Sequence, residues 1–207
     1  MRASLFAAAL GFVAIPALAQ TPPNLPKEAP GKPDPALARA GTYQIEPSHT
    51  QIGFLIDHMG FTPFAGVLSQ ASGSLTLDPA RPAASKLSVT VPIASIQTTS
   101  KKLDEELVSA QFFDVAKFPT ASFTSTAVRS TGPTTAEVTG TLTLHGVAKP
   151  ITLAAKFYGA GTNFMTKKPS IGFTANATLK RSEFGLTAGI PLVGDTVTLT
   201  IAAAFDQ

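Results

Sequence analysis

The stretch "DTVTLTIAAAFDQ", residues 195–207, alternates almost without a break. Val197, Leu199, Ile201, Ala203 and Phe205 fall on one parity, and Thr196, Thr198 and Thr200 on the other. Side chains two apart on an extended backbone share a face, so the stretch predicts a strand with one apolar and one wet side. Threonine suits the wet side. Its branched Cβ favours extended backbone, and its hydroxyl meets water.

The same pattern recurs upstream. Ile171, Phe173, Ala175, Ala177 and Leu179 form one such face, and Ile151, Leu153, Ala155 and Phe157 another. Val138, Gly140, Leu142 and Leu144 stand opposite Thr139, Thr141 and Thr143. Leu87, Val89, Val91 and Ile93 alternate with Ser88, Thr90 and Pro92, and Leu75 and Leu77 with Ser74, Thr76 and Asp78. In "PSHTQIGFLIDHMGF", residues 47–61, Ile52, Phe54, Ile56 and His58 share a parity. Repeated short strands of this kind predict an antiparallel barrel or sandwich. One helical segment interrupts them. "KKLDEELVSA", residues 101–110, sets Leu103, Leu107 and Ala110 on one side, with Asp104, Glu105 and Glu106 facing solvent. It predicts a helix that caps one end of the sheet.

The N-terminal region reads differently. "MRASLFAAALGFVAIPALAQ" has a basic start at Arg2, an apolar run from Leu5 to Ile15 and the small-residue pattern Ala17-Leu18-Ala19. That predicts a signal peptide over residues 1–19 and export to the periplasm. Residues 20–40 carry six prolines, which predicts a disordered or polyproline tether. Residues 41–207 then make one domain. The chain has no cysteine, so packing alone must stabilise it. Charged residues are 14% of the chain, below the usual quarter, while twelve of the fourteen phenylalanines follow residue 19. Such a chain has apolar surface to hide. The net charge is only +3, and no basic run interleaved with aromatics points to nucleic acid.

The usual constellations of catalysis are missing. Ser48 and His49 are neighbours, and neighbours on a strand point to opposite faces. No G-x-S-x-G turn, no glycine-rich phosphate loop and no H-x-x-x-H spacing occurs among His49, His58 and His145. No catalytic residue, metal ligand or cofactor site is therefore assigned. The three acidic residues of "LDEEL" read as a solvated helix face. His49, beside Pro47, and His145, before Gly146, read as turn residues. His58 ends an apolar face, where it either hydrogen-bonds a ligand headgroup or a neighbouring strand.

Four ordered motifs resemble the YceI-like family of lipid- or polyisoprenoid-binding proteins. They are "YQIEPSHTQIGFLIDHMGFTPFAGVL" from Tyr43, "SIQTTSKKLDEELVSAQFFDVAKFPTASFTST" from Ser95, "GTLTLHGVAKPITL" from Gly140, and "RSEFGL" from Arg181. The resemblance covers about Gly41 to Phe205. It implies an all-β, eight-stranded antiparallel, lipocalin-like barrel with a short helix near one end. It also implies an apolar lumen for one isoprenoid or other long-chain amphiphile and the homodimer frequent in the family, while the apolar run from Leu5 to Ile15, too short to span a bilayer as a helix, predicts no transmembrane segment. One departure stands out. Where the family shows Arg-Asp-x-His-Leu, this chain has Leu103 and Glu106 in place of the Arg and His, which bears on ligand choice.

The lumen lining expected on these grounds is Phe54, Ile56, His58, Phe64, Leu75, Val89, Val91, Phe173 and Leu199, with Phe112, Phe113 and Phe184 closing the ends. Three functions are open to such a chain. The first is a periplasmic lipid carrier. The others are an envelope interaction module with a filled core, and an enzyme acting on the lipid with His58 as base.

Overall fold

The computed structural model describes residues 25–207. The expected signal peptide lies outside them. Ten strand segments form one antiparallel sheet: β1 (Gly41–Ile45), β2 (Gln51–His58), β3 (Thr62–Leu68), β4 (Ser72–Leu77), β5 (Lys86–Pro92), β6 (Thr120–Ser130), β7 (Thr135–Leu144), β8 (Val147–Thr162), β9 (Pro169–Lys180) and β10 (Val193–Asp206).

The ten segments fill eight positions. β10 pairs with β2 along Val193–Ala202 and with β1 at Phe205 and Asp206, so β1 and β2 lie end to end on one edge. A 3₁₀ turn at Pro47–His49 separates them. In the same way β3 pairs with β2 while β4 pairs with β1. From β4 each strand pairs with the next as far as β10, and β10 closes the ring on β1 and β2. The result is a closed eight-stranded antiparallel barrel, which leaves few unpaired edges. The remaining edge, at β3, is met by a two-way backbone bridge between Val67 and Gln97.

The apolar parities all turn inward. Val138, Leu142, Leu153, Ala155, Phe173, Ala175, Leu199 and Ile201 lie on the lumen side. The threonines lie outside, where Thr139 and Thr152 meet across β7 and β8 at 3.1 Å. This polarity is the inverse of a transmembrane barrel, whose apolar band faces out. Among the described residues no helix is long and apolar enough to cross a membrane.

One helix, α1 (Lys101–Leu107), follows β5. The Ser100 hydroxyl accepts from the Leu103 N–H at 3.3 Å, and Asp104 Oδ1 accepts from both the N–H and the hydroxyl of Thr98 at 2.7 Å. The first bond satisfies a donor that a helix start leaves unpaired, and the other two tie the preceding segment to the first turn. The helix stops three residues short of its expected end at Ala110. Val108 closes it, and Asp114 takes a left-handed φ of 46° that turns the chain back.

The proline-rich segment also differs from expectation. Its described part is not a free tether. Lys32 and Ala160 exchange backbone hydrogen bonds at 3.0 Å each, and Pro35–Leu37 form a 3₁₀ turn capped by Asp34. The Tyr43 hydroxyl donates to the Arg39 carbonyl at 2.9 Å. Proline forbids a central strand, yet it permits a strap laid over the barrel end and pinned at Lys32, between proline positions.

Candidate functional site

The lumen holds a cavity of about 700 Å³. Its walls come from every strand position, and its lining reaches from His58 and Val193 at one end to Pro35, Ala38 and Pro82 at the other. β10 has 14 residues, so at about 3.3 Å each and a tilt of about 40° the barrel is roughly 35 Å long. A volume of this size drawn out along such a length is a tube rather than a bowl. It falls within the range of ligand-binding cavities, about 300–1,000 Å³.

Eleven of the twelve expected lining residues face this cavity. Phe54, Ile56, His58, Phe64, Leu75, Val89, Val91, Phe173 and Leu199 project from the strands, and Phe112 and Phe113 from the loop after α1. Leu103 and Leu107 of α1 join them, so the helix turns its apolar side to the lumen. Leu103 is thus a lining residue, whereas Glu106 is exposed. Gly66 lets the Phe54 ring lie flat on the wall, since a Cβ there would stand 2.3 Å from Phe54 Cζ. Towards the far end Phe157, Phe173 and Phe205 meet edge to face, with ring centroids 6.0 and 6.2 Å apart.

Phe184 is the exception. It is 1% exposed and buried in a 3₁₀ turn, Arg181–Phe184, that follows β9. Its carbonyl meets His145 Nδ1 at 3.1 Å, and it does not line the lumen. Position after the last β9 residue, rather than parity, decides its direction.

That turn instead carries a residue whose role the periodicity does not reveal. Arg181 is 8% exposed. Its guanidinium donates to the carbonyls of Leu186 and Ala188 at 2.8 Å through Nη1, of Val193 at 2.9 Å through Nη2, and of Gly194 at 2.8 Å through Nε. Desolvation lowers its pKa, and Asp195 opposes that shift. Five N–H groups in a planar fork suit this cage of carbonyls. Arg181 thereby ties the loop 185–193 across the lumen end that its own side chain helps line. The signal available in sequence is a lone arginine ahead of the uncharged run from Phe184 to Gly194.

Beside it, Asp195 accepts from the Ser182 N–H and hydroxyl at 2.8 Å each. The Ser182 backbone and then its hydroxyl hold this carboxyl below its ordinary pKa. A lowered folded-state pKa contributes stability above the unfolded value, lost as pH falls through the folded one. The wild type is therefore expected to lose more stability on acidification across that window than Asp195→Asn, measured by urea unfolding at a series of pH values.

The histidines stand apart from one another. His49 pairs with Glu46 on the outside of the 3₁₀ turn between β1 and β2. His145 occupies the left-handed turn between β7 and β8 with φ 50°, packed edge-on against Phe118 at 4.6 Å. His58 is exposed at the lumen mouth, 6.4 Å from the Phe64 ring, and its imidazole makes no hydrogen bond among the described residues. Of the three, only His58 lines the lumen.

With this geometry in place, comparison with known proteins is informative. Residues 43–205 match the model of the YceI-like domain. A UPF0312 protein of Pseudomonas putida (strain W619) is 42% identical over 151 residues, 72% of this chain and 78% of its own. One from Ectopseudomonas mendocina (strain ymp) is 39% identical over 171 residues, 80% and 87% of the two chains. The crystal structure of the Campylobacter jejuni YceI protein superposes with a TM-score of 0.63 at 31% identity, covering 73% of this chain and 90% of that one. A polyisoprenoid binding domain from Saccharophagus degradans, implicated in plant cell wall breakdown, shares the fold. Its TM-score is 0.63 at 15% identity, over 79% and 97% of the chains.

Proposed function

We propose that this chain, which belongs to the YceI-like domain family, is a periplasmic carrier that holds one polyisoprenoid or similar long-chain amphiphile in its lumen. The observation that carries the reading is the tubular apolar cavity of about 700 Å³. Each methylene withdrawn from water contributes about 0.8 kcal/mol. Ordering the chain offsets part of that gain. Affinity in such a tube grows with chain length and depends little on the headgroup. The polyisoprenoid-binding neighbour with the same fold supports the ligand class.

The headgroup end is the His58 mouth. There an imidazole without a protein partner among the described residues faces the lumen, and Leu103 of α1 adds apolar wall. A neutral headgroup suits that rim better than a charged one. The export reading rests on the signal-like residues 1–19. Binding without turnover is favoured because, among the described residues, the lumen lining sets no carboxylate beside His58. A filled-core interaction module gains no support from a cavity of this size.

Delipidated protein offered a long-chain prenol tests the reading. At a free ligand concentration of about 100 times Kd, binding adds about 2.7 kcal/mol, which raises Tm by roughly 5–10 °C. The shift is expected to increase with prenol length. No shift at any length contradicts the proposal.

A further inference from the structure

Two loops meet beside the His58 mouth. The first is the hairpin turn between β2 and β3, where Met59 and Gly60 take left-handed φ values of 59° and 69° and the Phe61 N–H closes the turn on the His58 carbonyl at 3.2 Å. The second is the stretch Gly189–Leu192 ahead of β10. The Met59 N–H donates to the Leu192 carbonyl at 2.7 Å and joins them. Both loops change sides residue by residue. His58, Gly189 and Val193 line the cavity. Their neighbours Met59, Ile190 and Leu192 are exposed by 47%, 36% and 60%, and Phe61 by 85%.

We propose that this paired-loop rim docks on a lipid bilayer, and that the ligand passes between bilayer and lumen there. The inference rests on the carrier reading for the passage, but the docking stands on its own observations. No charged residue occurs from Met59 to Leu77 or from Phe184 to Gly194, and the carboxylate at the base of the first turn, Asp57, accepts from the Gly60 N–H at 2.9 Å, so the tips themselves carry no charge into an apolar medium. An exposed aromatic closing a tight turn is a wedge suited to the headgroup–acyl boundary. The apolar tips are continuous with the apolar lumen. A bilayer contact therefore excludes water along the ligand's route, whereas a second copy seated on the rim covers the mouth. The opposite end has exposed Met165 as well, but Lys167 and Lys168 flank it and the Lys32–Ala38 strap crosses it.

The chain has no tryptophan, so Phe61→Trp places a single reporter on an exposed site that does not affect folding. Mixed with phosphatidylcholine vesicles, the full-length mature protein is expected to show a blue shift of the Phe61→Trp emission. Met165→Trp at the opposite end is expected to show none. Phe61→Ser is expected to weaken vesicle binding about tenfold. It should slow prenol uptake from vesicles to a similar degree while leaving uptake from detergent micelles unchanged. An unshifted Phe61→Trp spectrum overturns the proposal. So does a concentration-dependent dimer that Phe61→Ser dissolves, which makes a second copy the occupant. A blue shift without prenol uptake from either source keeps the docking and refutes the carrier reading alone.

Discussion

In the Val89→Asp variant, lipid occupancy is expected to fall by more than a hundredfold while the barrel stays folded. Val89 lies midway along β5, between Gly73 of β4 and Phe123 of β6, with its side chain on the lumen wall. In the unloaded barrel an aspartate there keeps its hydration, because the cavity has room for water. Threading an apolar chain past it removes that water. The effective cost of burying an unpaired charge is several kcal/mol, and about 3 kcal/mol already exceeds a hundredfold in affinity. The fold loses only the burial of one valine, about 1.5 kcal/mol, or a few degrees in Tm. Occupancy is read by mass spectrometry of organic extracts and folding by thermal melting. Equal losses of stability and occupancy would mean that Val89 packs a core rather than lines a site.

Arg181→Met is expected to do the reverse and attack the fold first. Four backbone carbonyls accept from that guanidinium, and a methionine side chain offers them no donor. Hydrogen bonds to charged groups contribute about 1.5–3 kcal/mol each and are not additive here, so a loss of about 3–4 kcal/mol is expected. Arg181→Lys supplies three donors from one point instead of a planar fork, and should fall between the two. Urea midpoints rank the three proteins. A methionine variant within 1 kcal/mol of wild type would show that the loop 185–193 is held by other contacts.

Much of the barrel was legible because its inward and outward faces differ so sharply. In the long runs Val138–Leu144, Ile151–Phe157, Ile171–Leu179 and Val197–Phe205 the apolar parity turns to the lumen, and most of the intervening threonines lie outside. Strands β3 and β6 were harder to see. Pro63 and Gly66 break the pattern of β3, although Phe64 still points inward. In β6 the register shifts between Ser125 and Ala127, so Phe123 and Val128 both face the lumen from opposite parities. Periodicity assumes an unbroken pleat, and a bulge defeats it.

Phe184 lies beyond the end of β9, where parity gives no direction. Parity carries information along a strand and none beyond its end. Arg181 escaped for a different cause. Its partners are five to thirteen residues further along, and they are backbone carbonyls, which no side-chain pattern marks. The strap at Lys32–Ala38 is not legible in sequence because proline content reports what a segment cannot form. It says nothing of what the segment lies against.

The central claim is that the lumen carries a long-chain lipid in the living cell. The direct measurement is to express the chain with its own N-terminal residues, purify the mature protein from the periplasm without detergent, and analyse its organic extract by mass spectrometry. A long-chain prenol or related amphiphile at about one per barrel is the result this account predicts. An extract that remains empty, even after the protein is offered polyisoprenoids and fatty amides in vitro, would contradict it.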